Sequence, residues 1–272
     1  MIKQKIDIIV GPTASGKSGF ALKQALKNKG QIVNADAFQV YQDLRILTAR
    51  PSIEDEKIVP HYLYGYADSQ TQENVQSWLE KVAQILPTIS HPIMVGGTGM
   101  YINALINGIN EMPNIPNEIR QKVRQMSIDE VRSLLKGQEI FPDPQRQKRA
   151  LEVFLSTGKP ITYFQNQPPK KAIQAKFNII LIQPDREIIY QNIERRLHQM
   201  MMGGAIEEVR NLLKKKAKGG VIKAIGVKEI TQYLKKECSL EEAQSKILLA
   251  TRHYAKRQMT WFRHQLIPDE KM

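Results

Sequence analysis

The feature that most restricts this chain is Gly11-Pro12-Thr13-Ala14-Ser15-Gly16-Lys17-Ser18, which fits G-x-x-x-x-G-K-[ST] at every fixed position. Such a segment needs a strand before it and a helix after it, since that junction turns successive backbone N–H groups onto one anion. The flanks supply both. Ile6-Asp7-Ile8-Ile9-Val10 is a β-branched run that reads as a buried strand, and Phe20, Leu22, Ala25 and Leu26 recur at helical spacing behind the loop. Gly11 and Gly16 permit the curl that converges the N–H groups, and the helix starting at Lys17 adds the positive end of its dipole. Lys17 then places an ammonium on the terminal phosphate, and the Ser18 hydroxyl is positioned as a Mg²⁺ ligand. The segment predicts a site for a polyphosphate or pyrophosphate, and leaves open which ester occupies it.

Charge supplies the second constraint. The net charge is +13 with a pI near 9.7, and residues 210–263 carry fourteen Lys or Arg against four Asp or Glu. An excess of this size suits a polyanionic partner, with a solvated basic face as the plain alternative. The 272 residues, 42% hydrophobic, suffice for one large domain or a domain with an insertion. No run approaches the ~18 apolar residues of a membrane span, and the start of the chain leads almost directly into a strand, so neither a membrane partner nor a signal peptide is expected. The lone Cys238 cannot form an internal disulfide, which fits a reducing cytoplasm. Zinc-ligand spacings, a nucleophile elbow and a histidine cluster are all missing from the sequence.

Along the chain, residues 31–36 read as a second strand ending in Asp36, followed by Ala37-Phe38-Gln39-Val40-Tyr41. At the carboxyl end of a strand in an open α/β sheet, Asp36 should face the phosphate loop as a general base or metal-shell group; a helix N-cap explains the same position equally well. Residues 48–66 look loop-rich, and their aromatic cluster reads as core. Val75, Trp78, Leu79, Val82 and Ile85 share one helix face, and Pro92-Ile93-Met94-Val95 is a strand running into Gly96-Gly97-Thr98-Gly99. Those glycines suggest close approach of backbone to a ligand, with the Thr98 hydroxyl in the same cleft. From 112 to 176 prolines bracket polar, basic helices, which reads as a small helical insertion acting as a lid or clamp. Residues 177–182 restore a buried strand. The following helix carries Arg195 and Arg196, one of which can reach back to a pyrophosphate, and Met200 to Met202 read as helix-end packing. Residues 223–228 form a basic turn-like unit. The last helix opens with a capping box, Ser239 with Glu242, and runs through Ala255-Lys256-Arg257-Gln258-Met259-Thr260-Trp261-Phe262-Arg263, suited either to a nucleic-acid backbone or to packing as an amphipathic helix.

Taken together and in order, the loop at 11–18, Asn34-Ala35-Asp36 with Gln39-Val40-Tyr41, Gly96 to Gly99 with Tyr101, Asp143-Pro144-Gln145-Arg146 with Arg149 to Glu152, Lys223-Ala224-Ile225-Gly226 and the basic-aromatic segment 255–263 resemble the tRNA dimethylallyltransferase family. The resemblance implies an α/β fold, a P-loop NTPase-like parallel sheet flanked by helices with a small all-helical insertion domain. Residues 1–111 and 177–272 would form the core and 112–176 the insertion that contacts tRNA. It also implies that the loop holds dimethylallyl diphosphate with Mg²⁺, in place of ATP. The family's reaction prenylates N6 of the adenosine 3′ of the anticodon. Asp36 would take the proton from that amine, Lys17, Ser18 and Arg196 would stabilise the leaving pyrophosphate, and Thr98 would help orient the adenosine or the carboxylate that serves as base. The target base would be flipped into a channel. Asp36, Ala37, Phe38, Gln39, Thr98, Arg120, Gln145, Arg146, Gln147, Lys148, Arg149, Lys223 and Lys228 match positions that touch the anticodon stem-loop. The enzyme is expected to work as a cytoplasmic monomer.

Three other readings compete. A small-molecule kinase explains the loop, the lid and Asp36 but has no use for the basic insertion or the tail. A nucleic-acid-binding NTPase switch explains charge and loop, yet calls for a strand ending in Asp after the loop where residues 92–95 end in glycines. An enzyme prenylating free adenine nucleotides lacks a reason for the basic clamp.

Overall fold

The computed structural model describes residues 5–138 and 141–272. They divide into two compact units, Met1–Ile106 with Ala172–Met272, and Asn107–Lys171. The sequence reading sets the breaks five residues later at each end, after residues 111 and 176. The polypeptide instead changes units just beside Gly108, whose backbone φ of +87° favours glycine, and beside the paired Ile109 and Lys170.

The first unit is built on a parallel six-stranded sheet in the order β3-β2-β4-β1-β5-β6. Its first half runs β1 (Lys5–Val10), α1 (Lys17–Asn28), β2 (Gln31–Asn34), α2 (Ile53–Ile58), β3 (His61–Tyr62), α3 (Val75–Ile85), β4 (Pro92–Gly96) and α4 (Gly99–Asn107). The central strands β1 and β4 are near-continuous apolar runs because helices cover both faces; Ile6, Ile8, Ile9, Val10 and all of β4 are buried. Truncating one such isoleucine to alanine costs roughly 2–5 kcal/mol. In α1 the buried residues are Ala21 and Ala25, so small side chains let the helix lie close on the sheet, while Leu26 is 55% exposed, off the stripe that the spacing predicts. In α3 the expected face is present: Trp78, Leu79 and Val82 are buried, and Asn74 caps the helix reciprocally with Ser77. Two elements, α2 and β3, lie where the sequence reads as loop, each being too short to show a period.

The second unit contains α5 (Asn117–Gln125), α6 (Ile128–Leu134), α7 (Pro144–Thr157) and α8 (Ile161–Gln165). Its own core comprises Ile115, Val123, Val131, Leu135, Leu151 and Val153, with further apolar neighbours. Ser127 and Glu130 cap α6 reciprocally, and Asp143 caps α7 ahead of Pro144.

The chain then returns through β5 (Lys176–Leu181), α9 (Arg186–Met202), α10 (Ala205–Lys214), α11 (Val227–Leu234), α12 (Leu240–Gln265) and the edge strand β6 (Glu270–Lys271). The Ser239–Glu242 capping box forms as the sequence predicts. The paired strand β6 has no sequence signature. No helix among the described residues is long and apolar enough to cross a membrane.

Candidate active site

The strand order decides where the site lies. β1, β4 and β2 are adjacent, so the residues just past their carboxyl ends meet: the glycine loop after β1, Thr98 after β4 and Asp36 after β2. Two cavities open there. One of about 350 Å³ is lined by the loop residues Thr13, Ala14, Gly16, Lys17 and Ser18 together with Asp36. The other, of about 270 Å³, is lined largely by apolar side chains, among them Phe38, Leu47, Leu197, Met200 and Ile247. Thr13, Asp36, Thr48, Arg196 and Tyr254 line both, and Asp36 is the only carboxylate residue lining either, among the described residues.

The loop is held from several sides. Gly16 has φ +88°, the left-handed region that glycine tolerates, and a Cβ on Gly11 would run into the Ile182 carbonyl oxygen. Ser15 N–H donates to Pro12 O at 3.2 Å, and Lys17 Nζ donates to Pro12 O at 3.4 Å. From α9, Asn192 donates to Ala14 O at 3.1 Å and Arg196 Nη2 donates to Thr13 Oγ1 at 2.5 Å. Of the two neighbouring arginines, Arg196 is the one on the loop, while Arg195 bonds Asn192 Oδ1 at 2.8 Å. Desolvation pushes the Lys17 ammonium down to about 8; the Asp36 charge works against that fall and the Arg196 charge adds to it. Arg196 is likewise lowered, by burial first, with Asp36 opposing. Both cations are thus held at a cost that an arriving anion removes.

Asp36 is not a helix cap, since no helix begins there. Its Oδ1 accepts the Phe38 N–H at 2.9 Å, closing a tight turn. Buried Asn34 holds the same turn: its Oδ1 accepts Asp36 N–H at 2.9 Å, and its Nδ2 donates to Asp36 O and Leu63 O, both at 3.0 Å. Ala37 N–H donates to Thr98 Oγ1 at 3.1 Å, so Thr98 steadies the Asp36 turn. The Tyr254 phenol is pushed well up by burial first and then by the Asp36 charge, against the pull of a hydrogen bond to Thr98 and of Arg257.

Several sequence expectations change here. The glycines at 96, 97 and 99 are required by protein packing: a Cβ would meet Ala35 at Gly96, Gln258 and the Gly11 carbonyl at Gly97, and the Trp261 ring at Gly99. Gln39, expected at the tRNA, spends its amide on Thr48 O and Ala49 O, both at 2.9 Å, which fixes the loop beside the cavities. Met200 lines the apolar cavity and Met202 is 79% exposed, so neither of these two is helix-end packing.

Of the remaining tRNA candidates, Lys223 borders the apolar cavity and Lys228 is exposed in the first turn of α11. In the second unit Arg120, Gln145 and Arg146 are exposed. Gln147 is not a surface group: it is buried, donates to Phe141 O at 2.5 Å and accepts from Arg132 Nε at 3.2 Å. Lys148 caps the carbonyls of Arg124 and Met126 at 2.9 and 2.8 Å, and Arg149 pairs with Glu152 at 3.1 Å. On α7, therefore, the matched run divides between surface and scaffold.

The sequence reading also missed residues. Glu208 accepts the N–H groups of Ile46 and Leu47 at 2.7 and 2.9 Å, anchoring the loop that walls both cavities, and nothing in its local sequence marks that role. Tyr254, Arg257, Gln258 and Trp261 lie on one face of α12 against the site. Their i, i+3, i+4, i+7 spacing was the available signal.

The chain matches the family described as IPP transferase over residues 39–265, and the family described as isopentenyl transferase over residues 4–64. A tRNA dimethylallyltransferase of Azorhizobium caulinodans is 42% identical over 280 residues, spanning 96% of this chain and 89% of its own. The full-length tRNA isopentenylpyrophosphate transferase of Bacillus halodurans superposes with TM-score 0.73 at 28% identity, covering 99% of this chain and 90% of that one. A eukaryotic dimethylallyltransferase, solved acting on tRNA, gives TM-score 0.80 at 25% identity over 95% of this chain and 70% of its own. With a family model matched over most of its length and a relative at 42% identity, the chain belongs to the IPP transferase family.

Proposed function

We propose that this protein transfers a dimethylallyl group from dimethylallyl diphosphate to N6 of the adenosine 3′-adjacent to the anticodon in tRNA, releasing pyrophosphate. The observation that carries this reading is the pair of cavities, one ringed by phosphate-binding groups and one largely apolar, that share Asp36. An apolar slot beside the phosphate loop suits a branched five-carbon chain and has no use in a kinase.

In this reading the diphosphate lies on residues 11–18 and the prenyl chain runs into the apolar cavity. The adenine N6 attacks the prenyl C1, the C1–O bond breaks, and the N6 proton passes to Asp36. Lys17 and Arg196 take up the charge that develops on the departing pyrophosphate. Thr98 and Asn34 keep Asp36 in place while this happens. Mg²⁺ fits the site through the Ser18 hydroxyl on the polar cavity. No group of three His, Cys, Asp or Glu side chains converges to hold a metal among the described residues. The diphosphate itself would therefore complete the ligation, as is usual for this ion, which when bound would neutralise diphosphate charge.

The net charge of +13 supports a polyanionic acceptor, and of the matched positions in the second unit Arg120, Gln145 and Arg146 are exposed and available to its backbone. The base must leave its stack to reach Asp36. In this reading the enzyme works as a monomer in the cytoplasm. The test is to supply labelled dimethylallyl diphosphate, Mg²⁺ and an unmodified tRNA bearing the target adenosine. Label should enter that tRNA and not one in which the adenosine is replaced. Absence of label alongside ATP hydrolysis would overturn the reading.

A further inference from the structure

Gln258 is a polar side chain, only 6% exposed, set in the last helix among residues whose composition suggests a nucleic-acid face. Its amide is spent elsewhere. Oε1 accepts the Thr13 N–H at 2.8 Å, and Nε2 donates to the Gly97 carbonyl at 2.8 Å. One partner is a donor and the other an acceptor, so a single orientation of the amide satisfies both, and no charged or apolar side chain can do the same. Gly97 lacks room for any side chain because this amide and the Gly11 carbonyl occupy that space. Thr13 is thereby gripped twice, its N–H by α12 and its hydroxyl by Arg196 of α9.

We propose that Gln258 is a positioning residue that fixes the width of the phosphate loop, so that α12 sets the affinity for the diphosphate donor. The same helix lines the apolar cavity with Tyr254 and Arg257. A single rigid element therefore holds the donor's phosphate seat and borders the cavity where transfer occurs. The inference rests on the loop being the diphosphate seat.

The experiment measures inhibition of tRNA prenylation by inorganic pyrophosphate in the full-length enzyme. Gln258→Met keeps the length of the side chain and removes both hydrogen bonds. Gln258→Glu keeps an acceptor for Thr13, loses the donor and brings negative charge to the loop. In Gln258→Met the inhibition constant of pyrophosphate and the KM for dimethylallyl diphosphate should rise together by about tenfold. In Gln258→Glu they should rise further, while kcat and the KM for tRNA stay within about threefold in both. Should Gln258→Met fail to fold, Gln258→Asn, too short to span both loops, carries the same expectation. An unchanged pyrophosphate constant in a folded variant, or a rise in the KM for tRNA instead, overturns the proposal. Failure of pyrophosphate to compete in the unaltered enzyme would instead overturn the assignment of the loop.

Discussion

The two cavities that meet at Asp36 are encoded in opposite ways. The polar one takes its anion-facing wall from one short stretch, Thr13 to Gly19, because an anion is held by backbone N–H groups and the chain can present those only in a local curl, while Asp36, α9 and α12 close it with side chains from elsewhere. The apolar one takes Phe38, Leu47, Leu197, Met200, Ile225 and Ile247 from separate segments of the chain. Any apolar side chain of suitable size serves there, so no spacing announces it. The local motif therefore states that a phosphate ester binds, and the dispersed slot states which kind.

Asp36, the group the cavities share, carries the largest expected effect. Asp36→Asn keeps an oxygen for the Phe38 N–H, so the turn persists while the capacity to accept a proton is lost. Prenyl transfer should fall by roughly 10²–10⁴-fold in kcat, the range of a general base. Pyrophosphate inhibition and tRNA affinity should stay within a few-fold, and a kcat near the original would remove Asp36 from that role.

Next comes the polar cavity alone. Lys17 has its ammonium lowered to about 8 from 10.5. In the free enzyme it therefore loses its proton above about pH 8, and the affinity for pyrophosphate should fall by about tenfold per pH unit beyond that point. The sign for folding is the opposite. The unfolded chain binds the extra proton between 8 and 10.5, so this group's cost to stability is fully present below pH 8 and is relieved as pH rises through that window. Lys17→Arg should abolish the pH dependence of pyrophosphate affinity between pH 8 and 10; a slope that persists would place it elsewhere.

What the sequence made legible follows the same division. The strand-loop-helix at 6–28, the face of α3 and the capping box of α12 are local patterns, and each formed. The position of Asp36 near the loop was also legible, because the rule for carboxyl ends of strands needs only strand order. Short α2, β3 and β6 had no period to show. The glycines at 96–99 were legible as glycines but not for their reason, since the Gln258 amide and Trp261 ring that exclude a Cβ lie some 160 residues away in sequence. Glu208 is the same case: a glutamate on an exposed-looking helix reveals nothing of the two N–H groups at 46 and 47 that it holds.

The apolar cavity can be altered without touching the phosphate seat. Met200→Trp should fill it from α9 and raise the KM for dimethylallyl diphosphate by about tenfold, the scale of a few methylene contacts. The pyrophosphate inhibition constant should not move. Equal changes in both constants would mean that the cavities are one site and that the division drawn between them is wrong.

The smallest effects separate surface from scaffold in the second unit. Gln147 and Arg120 both match positions associated with tRNA, yet one is buried and the other exposed. Gln147→Leu leaves the Phe141 carbonyl without its amide donor and Arg132 Nε without its acceptor, so it should destabilise the unit by about 1–3 kcal/mol in denaturant unfolding. Arg120→Ala should change stability by no more than about 0.5 kcal/mol, the usual bound for a surface change. On tRNA the order should reverse. Loss of one backbone-contacting cation should weaken binding a few-fold and lower the slope of log affinity against log salt by about one, whereas Gln147→Leu should leave that slope intact at temperatures where the unit is folded. A salt slope reduced by Gln147→Leu and untouched by Arg120→Ala would show that burial in this unit does not predict which residues meet the nucleic acid.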